Sequence, residues 1–206
     1  MNKKSILLSI FDSLSTILFP IVAIPFLPMV FEALFSRYAV YENFSEQKVA
    51  QTNFGELLQY ISFRTGSLST EFYSYEDILH MRDVRMLFGI CYVIFVVSIL
   101  LFVFLKAEKE EKENSLMYGS FLSMGIVFLT GVSVFFAGFD KFFISFHKLF
   151  FSNDYWMLDP NSSNLIKFFP SEIFQTLLAL IAASIIVISL VTLVSSIWAK
   201  KDRVSK

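Results

Sequence analysis

The sequence predicts an all-α membrane protein built on four transmembrane helices. Three observations carry that expectation. Of the 206 residues 55% are hydrophobic and only 17% are charged, the mean hydropathy is +0.63, and four long apolar stretches recur at about Ile6–Phe31, Met86–Leu105, Met117–Gly138 and Phe174–Trp198. A helix crossing a bilayer needs about 20 predominantly apolar residues, and a soluble domain would need more charge on its surface. Residues 1–206 therefore read as a single membrane-embedded domain with two long connections, about 32–85 and 139–173, the first carrying additional short secondary structure.

The first stretch follows Lys3 and Lys4 but is too long for a signal-peptide core, so it reads as a retained span. Pro20, Pro25 and Pro28 occupy its outer half. Each removes a backbone donor, which predicts a kink or unwinding there. Asp12 is the one ionisable residue well inside a span, among Ser9, Ser13, Ser15 and Thr16. It reads as a helix–helix hydrogen bonder or a solvated inner-leaflet group more readily than as a reacting group.

Basic residues set the orientation. Lys3 and Lys4, then Lys106, Lys109 and Lys112, then Lys200, Lys201, Arg203 and Lys206 flank the spans, whereas the two long connections are poorer in Lys and Arg. The positive-inside rule places both termini and the Lys106–Leu116 loop in the cytoplasm, and both connections outside the cell membrane. The run Lys106–Asn114 reads as a solvated inner loop. A net charge of −1 offers no basic field for nucleic acid. The lone Cys91 lies within the second span, where it reads as a small buried apolar residue.

Within the first connection, Ser36–Tyr41 mixes aromatic and β-branched residues and predicts a short extended segment. Ser45 opens a candidate helix with apolar positions Val49, Leu57, Leu58 and Ile61, which Gly66 ends. Ser74 and Asp77 form a capping-box pattern, so a helix starts near Tyr75 and runs into the second span. Tyr73 and Tyr75 read as interface-belt residues, and Arg82 and Arg85 as interfacial anchors that could meet a lipid phosphate or a carboxylate. The second connection opens with Phe139–Phe151, whose six Phe read as covering most of a helix circumference. Trp156 suits the headgroup level, Asp159-Pro160 a turn, and Pro170-Ser171 the start of the last span.

The only two histidines are His80, just ahead of the second span, and His147, just after the third. Both fall on the same side at similar depth. Histidine is the side chain most easily poised to pass protons near neutral pH. His80 has Asp77 and Asp83 three residues to either side, and His147 shares a helix face with Phe143, Phe151 and Asp140. Each imidazole could instead be a packed or interfacial histidine; their coincidence favours a joint site with Asp83, Asp77 and Asp140 in support. His80, Asp83 and His147 could in principle ligate zinc, but no His-Glu-x-x-His or other close ligand pair is present, so no metal and no cofactor is assigned. Ser74, Ser145 and Ser152 lack a Gly-x-Ser-x-Gly setting, and nothing singles one out as a nucleophile.

His80-Met81-Arg82-Asp83-Val84 before a span, followed by Phe146-His147 with Phe150-Phe151, Trp156 with Asp159-Pro160, and Phe169-Pro170, resembles the Lit family of lipoprotein intramolecular transacylases over nearly the whole chain. One departure is Asn164, a position often acidic in that family. The resemblance implies an acyltransferase that moves the sn-2 acyl chain of a diacylglyceryl-modified lipoprotein to the α-amine of its N-terminal cysteine, giving the lyso form. It implies His80 and His147 as catalytic residues, with the lipoprotein and membrane lipids as partners and no cofactor. On that basis His80 is assigned as base and His147 as donor, or the reverse. An outer-leaflet lipid or lipoprotein hydrolase and a non-enzymatic membrane scaffold are the other readings these residues allow.

Overall fold

The computed structural model describes residues 2–105 and 107–204. Lys106 and Lys206, used above for orientation, lie outside them, as does the side chain of Arg203. Among the described residues every regular element is helical: α1 (Lys3–Ala23), α2 (Pro28–Arg37), α3 (Gln47–Ile61), α4 (Tyr75–Phe104), α5 (Lys109–Ala137), α6 (Phe139–Phe150), α7 (Asn164–Phe168) and α8 (Ser171–Val204). Among the described residues four helices are long and apolar enough to cross a membrane: Lys3–Phe26, Tyr75–Phe104, Lys109–Ala137 and Ser171–Asp202. The all-α, four-span expectation therefore holds.

The prolines act as their chemistry dictates. α1 carries Pro20 inside it and ends at Ala23, a 3-10 turn over Ile24–Phe26 takes in Pro25, and Pro28 opens α2 at its first position. That position costs proline nothing, because the missing N–H would have no partner in the first turn. The third helix begins earlier than expected. Glu108 and Glu111 form a reciprocal capping box, so Lys109–Asn114 are the first turns of α5 and not a solvated loop.

Two compact units are distinguishable, one of residues up to Val22, Cys91–Gly138 and from Ala179 onward, the other of Ala23–Ile90 and Phe139–Leu178. In the first, α1 meets α5 along a seam of small polar residues. Ser5, Ser9, Ser13 and Thr16 are buried on α1, as are Ser115, Gly119, Ser120 and Ser123 on α5. The Ser115 hydroxyl donates to the Ser5 carbonyl at 3.2 Å, and Ser123 Oγ donates to Ser13 Oγ at 3.0 Å. Small residues let helix backbones approach closely in lipid, where hydroxyl pairs add modest attraction. Asp12 lies in this seam. Its Oδ2 is buried without a hydrogen-bond partner among the described residues, and a Cβ at Gly119 would overlap its carboxylate and come within 2.9 Å of the Ser9 carbonyl.

The second unit has an aromatic core. Phe31, Phe35, Phe54, Leu57 and Phe168 are buried together, with Phe35 and Phe54 ring centroids 4.5 Å apart and Phe54 and Phe168 5.2 Å apart. Three local expectations are corrected. Ser36–Tyr41 is not extended: α2 continues to Arg37, Ala39 takes a left-handed conformation, and a 3-10 turn covers Val40–Asn43, which lets Val40 reach the core. The buried face of α3 is Ala50, Asn53, Phe54, Leu57, Tyr60 and Ile61, while Val49 is exposed. Tyr73 is a core residue and not an interface residue; its hydroxyl donates to the Asn53 carbonyl at 2.8 Å. Burial, followed by the charges of Asp77 and Glu56, pushes that phenol's pKa up and keeps it a donor.

The tightness of the α1–α5 seam gives a first prediction. Gly119→Val should destabilise the protein by about 1–3 kcal/mol through overpacking against α1, read as a lower thermal midpoint in detergent. Gly125→Val, where a Cβ meets nothing within 4 Å, is the matched control and should leave the midpoint in place.

Candidate active site

His80 sits in the second turn of α4 because that helix starts where the capping box requires. The Ser74 hydroxyl accepts from the Asp77 N–H and an Asp77 carboxylate oxygen accepts from the Ser74 N–H, both at 3.1 Å. His147 sits near the end of α6. The helix it belongs to is more sharply amphipathic than the sequence suggested. At 3.6 residues per turn Phe139, Phe142, Phe143, Phe146 and Phe150 fall on one arc, and Asp140, Lys141, Ser145 and Lys148 on the other half. His147 lies at the edge of the polar half and is the buried residue of the helix.

The two imidazoles converge. Their ring centroids are 5.9 Å apart with planes inclined by 38°, and His80 and His147 are only 8% and 7% exposed. Aromatic rings enclose them. His147 packs on Phe143 at 4.0 Å, Trp156 at 5.0 Å and Phe151 at 5.5 Å, and His80 meets Phe151 edge-on at 5.2 Å. Trp156, expected as a headgroup marker, is thus part of the wall around the pair.

Hydrogen bonding distinguishes the two rings. His147 Nδ1 lies 2.8 Å from the Phe143 carbonyl oxygen. A carbonyl can only accept, so Nδ1 carries the proton and the neutral ring leaves Nε2 as a lone-pair acceptor. Burial lowers the His147 pKa; the bond to the Phe143 carbonyl opposes this but is the smaller effect. Nδ1 of His80 is buried with no hydrogen-bond partner among the described residues.

The carboxylates expected to tune the histidines also hold hydrogen bonds of their own, and the charge of Asp83 still acts on His80. Asp77 is fully buried. It accepts from the Ser163 hydroxyl at 2.5 Å and from the Leu165 N–H at 3.4 Å, besides the Ser74 N–H. Asp83 accepts from the Asn153 side-chain amide at 2.8 Å. These two residues, three positions to either side of His80, fasten the 151–165 segment to α4 at two points. Asp140 is exposed while His147, seven residues on, is buried. The structure brings His80, His147, Asp77 and Asp83 into one region and leaves Asp140 at the surface. Ser163 and Asn153 were not singled out from the sequence. Asn164, instead of an acid, donates to the Phe72 carbonyl at 2.7 Å and accepts from Lys167 at 2.9 Å.

Four helices of membrane-crossing length, with a buried histidine pair walled by aromatic rings, define a multi-pass membrane protein with a candidate site. The family model of the lipoprotein intramolecular transacylase Lit matches residues 6–174. The chain belongs to the Lit family and is an acyltransferase. It is similar in fold to a solved structure of the membrane-integral lipoprotein intramolecular transacylase Lit from Bacillus cereus, with a TM-score of 0.90 and 22% identity over 98% of this chain and 97% of that one. Two structures of histidine variants of the Bacillus cereus protein superpose with TM-scores of 0.83 and 0.84 at the same identity, covering 93% and 94% of those chains. No curated protein sequence gave a significant match.

The two-point fastening generates a prediction. Asp77→Ala leaves the Ser163 hydroxyl and the Leu165 N–H buried without their acceptor. A cost of about 1–3 kcal/mol per unpaired group follows, and amide hydrogen exchange across 160–168 should accelerate while that in α1 and α5 stays unchanged. Unaltered exchange there would mean Asp77 does not hold the segment.

Proposed function

We propose that His80 and His147 are the catalytic pair of an O-to-N intramolecular acyl transfer. The acyl group passes from the sn-2 oxygen of a diacylglyceryl lipoprotein to the α-amine of its N-terminal cysteine. The observation that carries this reading is the 5.9 Å approach of the only two histidines, contributed by separate connections of the chain. The distribution of Lys3, Lys4, Lys109, Lys112, Lys200 and Lys201 supports cytoplasmic termini and a site opening on the outer face of the cell membrane.

The hydrogen-bond pattern favours His147 as base and His80 as donor, one of the two orders that the sequence leaves open. With Nδ1–H committed to the Phe143 carbonyl, Nε2 is free to take a proton. Asp77, whose oxygens serve Ser74, Ser163 and Leu165, is not placed to activate His80 as the base. The α-amine attacks the ester carbonyl, forming the C–N bond and a tetrahedral oxyanion. His147 Nε2 removes the surplus proton from nitrogen and delivers that same proton to the sn-2 oxygen as the C–O bond breaks. His80 donates a ring N–H to the oxyanion. One proton moves from nitrogen to oxygen, neither ring ends the cycle in a changed state, and no acyl-enzyme forms. Because donor and acceptor belong to one molecule, correct placement replaces a bimolecular encounter. General-base transfer contributes about 10²–10⁴-fold and an oxyanion donor about 10²–10³-fold.

Two tests follow. Mass spectrometry of lipoprotein N-termini from cells carrying the chain should show the N-acyl, S-monoacylglyceryl form, and His80→Ala and His147→Ala should each lower its formation by about 10²-fold or more. Full activity in either variant removes that histidine from the mechanism, and loss of an acyl chain without N-acylation identifies a hydrolase.

The second test is pH dependence. An α-amine of pKa about 8 limits the rate on the acid side, since only its neutral form attacks. An ordinary histidine base, with a pKa of about 6.5, would add a second proton and steepen the slope of log rate against pH towards 2 below that value. Burial lowers the His147 pKa, so its base form persists to lower pH. The slope should therefore stay near 1 from pH 7 down past 6.5; a break to 2 at 6.5 would exclude a desolvated base.

A further inference from the structure

Arg85 is held in an unusual setting. Its guanidinium carbon lies 4.5 Å from the ring centroid of Tyr60 and 4.7 Å from that of Phe63. Both rings come from the end of α3 and the turn after it. Among the described residues those two rings are its partners, and no carboxylate or carbonyl accepts from its N–H groups. A guanidinium carries five donors in a planar fork that matches phosphate oxygens bidentately, and stacking on rings fixes the plane while leaving the edge free.

The local backbone is shaped around this contact. Phe63 has φ +62°, a left-handed conformation costly for a bulky residue. Its ring tip lies against α4 at Gly89, where an added Cβ would stand 3.0 Å from Cζ. A glycine one helical turn beyond Arg85 thus makes room for the ring that stacks on the guanidinium. The pair of rings restricts a side chain that would otherwise lose much rotamer freedom on binding.

Its depth identifies the ligand. Arg85 is the last polar residue before the apolar run that begins at Met86, and Met86 and Ile90 are exposed as lipid-facing residues are. The anion that a bilayer supplies in abundance at the head of an apolar run is the phospholipid phosphate. We propose that Arg85, framed by Tyr60 and Phe63, is a binding site for the phosphate of an anionic phospholipid, separate from the histidine pair.

The site is tested by native mass spectrometry of the full chain in neutral detergent, titrated with dioleoylphosphatidylglycerol and with dioleoylglycerol, which shares the acyl chains but lacks the phosphate. The wild-type protein should retain the phospholipid and not the diacylglycerol. Arg85→Gln should weaken phospholipid retention by about tenfold or more, and Arg85→Lys, which keeps the charge but loses the fork, should fall between. Transacylation by Arg85→Gln in detergent should match wild type, which establishes that the variant folds. Equal retention by wild type and Arg85→Gln, or equal retention of the diacylglycerol, overturns the proposal. Inorganic phosphate at millimolar concentration should not displace the lipid; complete displacement would mean a free-anion site and would equally overturn it.

Discussion

The buried carboxylate of Asp77 is the constraint on which the arrangement of the second unit depends. It is fully enclosed, yet it has acceptor work for three donors: the Ser74 N–H, the Ser163 hydroxyl and the Leu165 N–H. A buried carboxyl group is tolerable only when its lone pairs are used. The same residue therefore starts α4 by capping it and draws α7 onto its first turn. Two turns along, Asp83 repeats the device with Asn153. His80 lies between these two attachments, and the Phe151 ring of the attached segment meets it edge-on. Phe151 and Trp156, both ring neighbours of His147, belong to that segment.

The chemistry of the proposed pair follows from what surrounds it. Phe143, Phe151 and Trp156 provide faces and edges but no acceptor, which disfavours an imidazolium. Among the described residues the polar partner of His147 is the carbonyl four residues back in its own helix. Its tautomer is thereby set by local helix geometry and does not depend on any distant residue. A neutral base with a defined lone pair is what deprotonation of an attacking amine requires, and a ring that stays neutral avoids storing charge in an apolar site.

Much of this was legible in the sequence, and the parts that were not share a physical reason. The spans, the unwinding near Pro25, the Ser74–Asp77 cap and the two histidines are signals of composition or short spacing, which a linear chain displays directly. Ser163 and Asn153 carry no such signal, because a hydroxyl or an amide that pairs across the fold looks like any loop residue. Asp77 and Asp83 were visible as neighbours of His80, and spacing by three suggested that they act on it. Their hydrogen bonds go to Ser74 nearby and to Ser163, Leu165 and Asn153 of the other connection, none of which the spacing reveals. Tyr73 and Ser36–Tyr41 depart from expectation for a related reason: aromatic composition fits an interface, a strand or a core equally well, and only tertiary packing decides.

An intramolecular transfer places its own demands on such a scaffold. The reacting ester and amine arrive already joined, so the protein need not gather two substrates, but it must fold one flexible lipid so that nitrogen faces the carbonyl. Rate then depends on how little the receiving groups move, because small misplacements of reacting atoms are costly. In the proposed mechanism that demand falls on two attachments flanking His80 on a continuous helix, and on the His147 ring held by its own helix carbonyl and by stacked aromatics. The proton that nitrogen must lose is the one that the sn-2 oxygen must gain. A single imidazole that carries it, beside a second that only stabilises charge, is the smallest set of groups that completes the exchange.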